Sequence, residues 1–240
     1  MSKLKKIFYN EFVATQTKFD WIFLAIGLII QCIGIGMSAA AGEPRLAITA
    51  ISGIAGIFAV VFCAQGRITS YIFNYTQLFT YMFGVCIPLA LWGETIENVF
   101  YALTMIWGFI TWKKNYDPEK GHTKAKTFSK SDWFSWGGAF VIATIVFGIF
   151  LMRAHIILPG LFPAADPQPW LDSITTVAPF IGQILLCAGY REQWAFWIVE
   201  DIVSIVMFAL LGNWIMVAQY LFWTMNCVYG WYKWSKASEG

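Results

Sequence analysis

The sequence predicts an all-α membrane protein of eight transmembrane helices, with one extra N-terminal helix ahead of two parallel three-helix bundles joined by a linker helix. Three observations carry that prediction. Of the 240 residues 58% are hydrophobic and 12% charged, with a mean hydropathy of +0.61, which is not the composition of an ordinary soluble domain. Eight apolar stretches are long enough to cross about 30 Å of hydrocarbon. Two of them share one polar pattern 122 residues apart: Glu97, Tyr101, Thr104, Gly108 and Trp112 match Gln219, Trp223, Asn226, Gly230 and Trp234.

The stretches run 21–41, 46–65, 68–91, 95–113, 134–153, 172–190, 193–212 and 214–234. The first ends in Met37–Gly42, MSAAAG, which looks like a signal-peptidase site, but Glu11 and Asp20 in the leader favour a retained helix. Trp92 and Trp214 extend the repeat at the same offset, and a two-residue shift brings Cys63 onto Cys187 and Arg67 onto Arg191. The duplicated unit therefore spans three helices, stretches two to four and six to eight, a footprint of transporters whose substrate sits between two halves. Two connections are long. Lys113 to Asp132 is Lys-rich, and Arg153 to Trp170 holds four prolines and cannot continue a helix.

Charge sets direction. With the N-terminus in the cytoplasm, every Lys and Arg falls inside except Arg45 and Arg153, including Lys3, Lys5, Lys6, the loop cluster Lys113 to Lys130, Arg67, Arg191, Lys233 and Lys236. That positive-inside bias places both termini in the cytoplasm. The triplets then run parallel and stretch five resets the direction between them. The organisation expected is 1–44, cytoplasmic N-terminus and extra helix; 45–113, first bundle; 114–153, cytoplasmic loop and linker helix; 154–171, Pro-rich external loop; 172–236, second bundle; 237–240, tail.

A carboxylate in hydrocarbon costs about 2.5–3.5 kcal/mol on insertion scales, so it needs a partner or a wet cavity. Trp194, Trp197, Asp201 and Ser204 recur at i, i+3, i+7 and i+10, one face of the seventh stretch. Two indoles and a carboxylate on one stripe suit a flat, hydroxylated, cationic ligand; the bland readings are an interfacial Trp194 and a structurally paired Asp201. Glu200 is expected to point elsewhere. The fourth stretch adds Glu97, Asn98, Tyr101 and Thr104, the eighth Gln219, Tyr220, Trp223 and Asn226, and the third Asn74, Thr76 and Gln77, where Tyr71, Phe73 and Tyr75 read as packing. No Lys or Arg is expected in the membrane interior to neutralise phosphate.

The block Trp92 to Trp112, WGETIENVFYALTMIWGFITW, the block Gln193 to Phe208, QWAFWIVEDIVSIVMF, and the ending from Tyr220 to Trp234 resemble the PnuC family of bacterial nicotinamide riboside transporters. The resemblance covers roughly Arg45 to Lys236. It implies a fold similar to a full-length SWEET-type sugar transporter, a homotrimer in the inner membrane, and facilitated diffusion of nicotinamide riboside, an unphosphorylated vitamin B3 precursor of NAD. Trapping by a cytoplasmic nicotinamide riboside kinase would follow. Family contacts map onto Asn98, Tyr101, Trp194, Trp197 and Asp201; Gln77, Asn74, Gln219, Trp223 and Asn226 rest on the repeat and on helical faces.

Other classes fit less well. His122 and His155 lie in loops, ruling out bis-histidine haem, and Lys233 and Lys236 sit too near the end for a Schiff base. No phosphate-binding glycine loop and no nucleophile–base pair appear, so neither an ATP-driven pump nor an enzyme is expected. Cofactors, metals and nucleic acid are not expected either, and the five cysteines read as reduced packing residues. The alternative is a passive or proton-coupled carrier of another small vitamin, nucleoside or sugar, such as thiamine or riboflavin, on the same scaffold.

Overall fold

The computed structural model describes residues 3–238 and, among them, every side chain except those of residues 3, 4, 92 and 93. The side chains of Lys3 and Trp92 and the last two residues of the tail thus lie outside the described set. The chain opens with a short helix α1 (Lys3–Tyr9) and a wide π-helical turn Asn10–Ala14. Eight helical runs follow, each coinciding with one apolar stretch: α2 (Lys18–Ala40), α3 (Leu46–Ala64), α4 (Ser70–Tyr81), α5 (Trp92–Lys114), α6 (Lys130–Ile157), α7 (Pro169–Ala188), α8 (Gln193–Leu210) and α9 (Trp214–Ser238). α5 and α9 begin at the two repeat tryptophans. Five of these helices, α2, α3, α6, α7 and α8, are long and apolar enough to cross a membrane. α4 is short, and α5 and α9 carry the polar repeat residues.

Local chemistry sets the boundaries. Thr17 with Asp20 and Ser129 with Asp132 form reciprocal capping boxes that start α2 and α6, so α6 begins ahead of its apolar stretch. Pro88 cannot donate a helical hydrogen bond. The third run accordingly widens into a π-helical turn at Met82–Cys86 and breaks, with Ala90 at φ 55 and Leu91 N–H donating to Cys86 O at 2.8 Å. The Lys-rich loop forms a small antiparallel hairpin, β1 (Tyr116–Asp117) with β2 (His122–Thr123).

Two compact units emerge. The first runs from the N-terminal segment through Ala125 and adds Cys187–Gly189 and the end of α9 from Tyr229; the second comprises Lys126–Leu186 and Tyr190–Val228. In the first, α3 and α4 pack along their lengths, with Ser52 Oγ donating to Gln77 O at 3.2 Å, and α4 reaches α5 through Tyr75 OH on Ala102 O at 3.0 Å. Tyr71 packs edge-on to Phe109 and Trp112, as packing residues should. The repeat tryptophans Trp112 and Trp234 are both 1% exposed and meet at 5.2 Å between ring centroids; Trp234 Nε1 donates to Cys63 O at 3.1 Å.

The polar end of this unit is densely bonded. Asp20 is buried and accepts from Tyr229 OH at 2.5 Å, and its carboxylate lies 2.9 Å from Lys233 Nζ. Glu11 is fully buried against the turn between α3 and α4, beside Arg67. Burial pulls the Arg67 guanidinium below its ordinary value, against the opposing field of Glu11 and Asp20. Burial pushes the Tyr116 phenol up, and the nearby Glu11 carboxylate adds to that.

In the second unit α7 turns Val177, Ala178, Ile181 and Leu185 onto Phe196 of α8, with Phe140, Ala143 and Phe147 of α6 packed around them. Ser173 Oγ donates to Thr144 O at 2.6 Å. Within hydrocarbon such contacts stabilise through close packing rather than water exclusion.

Helices approach closely at Gly108, where a Cβ would lie 2.6 Å from Tyr71 Oη and 2.7 Å from Cys187 Sγ. Gly108→Ala is expected to cost about 1–3 kcal/mol, whereas Gly137→Ala, whose Cβ meets nothing within 4 Å, leaves stability unchanged. Thermal unfolding in detergent compares the two. By the same measurement Lys233→Ala, which strips a buried carboxylate of its cation, costs about 3 kcal/mol.

Candidate functional site

α8 positions the aromatic and acidic stripe. Gln193 starts the helix, fully buried, and its Oε1 accepts from Trp197 Nε1 at 3.0 Å. An indole N–H can only donate, so that contact assigns the amide oxygen and leaves the amide nitrogen as the outward group; Nε2 is buried and has no partner among the described residues. Trp194 is 4% exposed, which removes the reading of an interfacial belt residue in contact with headgroups. Trp197 is half-buried and lies against α7: a Cβ on Gly182 would be 3.0 Å from its indole nitrogen.

One turn further, Asp201 and Ser204 are buried, at 2% and 4% exposure. Cys227 Sγ of α9 donates to Asp201 Oδ2 at 3.4 Å, and Ser204 Oγ donates to Glu200 Oε1 at 3.1 Å. The Glu200 and Asp201 carboxyls lie close to each other, whereas the sequence alone has Glu200 pointing elsewhere. Neighbouring helical residues diverge at Cβ, yet a three-bond Glu side chain reaches back to the shorter Asp. On α9, Tyr220 and Trp223 meet edge to face at 4.8 Å, Phe208 stacks on Tyr220 at 5.5 Å, Asn226 is buried, and Gln219 is half-buried. The second unit thus brings Gln193, Trp194, Trp197, Glu200, Asp201 and Ser204 onto one helix, with Cys227 reaching Asp201 from the next.

In the first unit the predicted residues lie on α4 and α5. Asn98 is 6% exposed and donates to Glu94 O at 2.7 Å, while Tyr101 OH donates to Glu97 Oε1 at 2.6 Å. The amide and the phenol are each engaged within α5. Asn74 is half-buried and donates to Ser70 O at 3.0 Å, and Gln77, also half-buried, lies over Gly56 of α3.

Two buried polar residues of the second unit went unread in the sequence as site candidates, Gln193 and Gln183 of α7, at 0% and 5% exposure. The signal for Gln193 was available: an amide four residues before Trp197 faces the same way along a helix. Gln183 lies in an otherwise apolar run, where an amide is as costly to leave unmatched as those already singled out.

The chain is similar to known proteins over nearly its whole length. The nicotinamide riboside transporter PnuC of Haemophilus influenzae is 29% identical, over 95% of this chain and 94% of that protein. The transporter of the same name from Neisseria mucosa is 27% identical, over 95% of this chain and 84% of its own length, and that of Escherichia coli is 24% identical. A crystal structure of the vitamin B3 transporter PnuC superposes with a TM-score of 0.73 at 26% identity, covering 97% of each chain. Residues 46–236 match the family model described as nicotinamide mononucleotide transporter, so the chain belongs to that family.

Proposed function

We propose that the chain carries nicotinamide riboside across the bacterial cytoplasmic membrane by facilitated diffusion. The eight helical runs are then eight crossings with both termini in the cytoplasm, and the duplicated triplets alternate in exposing the site to either side. The observation that carries this reading is the stripe of buried Trp194 and Asp201 with half-buried Trp197, bonded to Gln193, in a chain whose relatives are named for that substrate.

The chemistry fits. Nicotinamide riboside is a flat pyridinium cation bearing a carboxamide and a ribose. Indole faces attract such a ring, Asp201 offers an anionic acceptor, and the spare Nε2 of Gln193 offers a donor to a carbonyl or hydroxyl oxygen. Asn74, Gln77, Asn98, Tyr101, Gln219, Trp223 and Asn226 supply further neutral polar contacts. Binding by mostly uncharged groups selects without trapping, which net flux requires. With no Lys or Arg in the membrane interior, a phosphorylated product meets no compensating charge; cytoplasmic phosphorylation by a kinase would hold the vitamin inside. Assembly as a homotrimer is part of the same reading.

One observation favours a second reading. The adjacent carboxyls of Glu200 and Asp201 on α8 are suited to taking up and releasing a proton, which would couple transport to a pH gradient.

Labelled nicotinamide riboside should enter proteoliposomes containing the purified protein and be competed by unlabelled riboside but not by thiamine, riboflavin or the mononucleotide. Competition by thiamine or riboflavin would transfer the proposal to that vitamin, and accumulation above equilibrium under an imposed pH gradient would establish coupling. Trp197→Ala should weaken binding about tenfold, the loss of one desolvated cation–π contact, read by isothermal titration. Gly182→Val, which touches no substrate in this proposal but pushes on the Trp197 ring, should weaken it about threefold or more; unchanged affinity in both variants would remove α8 from the site.

A further inference from the structure

The N-terminal segment ahead of α2 makes a set of contacts that the transport proposal does not use. Helix α4 starts at Ser70 after Thr69, whose own side chain caps nothing on the helix. The amides of Ser70, Tyr71 and Ile72 bond back to Arg67 O, Ile68 O and Thr69 O, so the orphaned ones are those of Ile68 and Thr69 at the head of the turn. Glu11, from the π-helical turn 58 residues away, accepts from Ile68 N–H at 2.9 Å through Oε1 and from Thr69 N–H at 3.0 Å through Oε2, and takes the Thr69 hydroxyl as well. A buried carboxylate at a helix N-terminus meets both the free N–H groups and the positive end of the dipole. Arg67 closes the arrangement, donating to Glu11 O, to Gln65 Oε1 and to Thr15 Oγ1 at 2.9 Å. Asn10 Nδ2 donates to Pro118 O at 2.5 Å and Gln16 Nε2 to Gln65 Oε1 at 3.1 Å, so the segment also holds the hairpin and the α3 end.

The second triplet carries a buried carboxylate in its own turn, which pairs with its arginine and caps no amide of α8. Arg191, the repeat partner of Arg67, is followed by Glu192, which is fully buried, stands immediately before α8 and bonds Arg191 Nη2 at 2.6 Å. The position equivalent to Glu192 in the first triplet is Ile68, which has no charge to offer. We infer that Glu11 is a positioning residue for α4, supplying from the N-terminal segment the buried carboxylate that Glu192 supplies within the second triplet. α4 carries Asn74 and Gln77 in its next two turns, so releasing its start loosens those side chains. Only the transport readout of this inference rests on the proposed substrate.

The test uses the full-length chain in detergent and in proteoliposomes, with Glu11→Ala, Glu11→Gln and the double variant Glu11→Ala, Ile68→Glu. Glu11→Ala should speed amide hydrogen exchange at residues 68–73 about tenfold, as loss of a buried helix cap implies, and leave the amides of α8 unchanged. It should raise the KM for nicotinamide riboside more than it lowers the maximal rate. Glu11→Gln, isosteric but uncharged, should behave like Glu11→Ala, and the double variant should restore protection at 68–73. Unchanged exchange in Glu11→Ala, or failure of Ile68→Glu to restore it, overturns the inference. Exchange slowed or quickened equally across α4 and α8 marks general destabilisation and overturns it too. If the wild-type chain takes up no nicotinamide riboside, the substrate proposal falls while the exchange experiment still decides the role of Glu11.

Discussion

Acyl chains offer no hydrogen-bond partners, so every polar side chain in these helices must find one inside the protein. The constraint is visible throughout. Ser52, Tyr75 and Ser173 each reach a carbonyl of the next helix, while Thr76, Thr104, Thr175 and Thr224 fold back onto a carbonyl of their own. Helices gain nothing from water exclusion in such surroundings, so small residues and matched polar groups decide which faces meet. Gly108 beneath Tyr71, Gly148 beneath Trp170 and Gly182 beneath Trp197 are places where a missing Cβ admits a large ring or sulfur neighbour. Against that background the Nε2 of Gln193 is a buried donor without a partner among the described residues.

Charge is handled by the same rule at the ends of the helices. Asp20, Glu11 and Glu192 are all buried, and each has its compensation arranged differently: a lysine and a phenol for Asp20, backbone amides and a hydroxyl for Glu11, a neighbouring arginine for Glu192. Ion pairs of this kind add little net stability, because desolvation offsets most of the attraction. What they do is exclude alternatives: a turn lacking its carboxylate leaves both an arginine and a helix start unmatched. The two triplets therefore share an architecture and an arginine, but the first depends on a segment outside the repeat to complete its turn.

The parts of this structure legible in the sequence are those governed by short-range physics. Hydrocarbon thickness fixes how long an apolar run must be, and all eight runs are helical where read. The repeated pattern is legible because both copies keep a tryptophan at the helix start and a glycine at the same offset. Capping boxes at Thr17 and Ser129 were equally local, and would have placed the starts of α2 and α6 correctly. Pro88 announced the break before α5 in the same way. The docking of Glu11 was not legible, since it depends on a partner 58 residues distant and on a turn whose own residue types give no hint of a missing acid. Nor was the Glu200–Asp201 contact, because helical phase fixes where Cβ points and not where a flexible carboxyl ends.

The same accounting bears on cargo. A phosphate dianion passing between helices would need cations to replace its hydration, and the Lys and Arg residues of this chain sit at helix ends and in loops. A cationic pyridinium has the opposite requirement, met by aromatic faces and a carboxylate, and α8 sets two tryptophans and Asp201 on one stripe. The family is described by a mononucleotide and the relatives by a riboside; of those two molecules, the one without the phosphate is the one whose charge these helices can match. Selection against the phosphorylated form then needs no dedicated gate, because the spans carry no charge to match a phosphate. A transporter built this way can be passive and still serve net uptake, provided phosphorylation occurs on one side only.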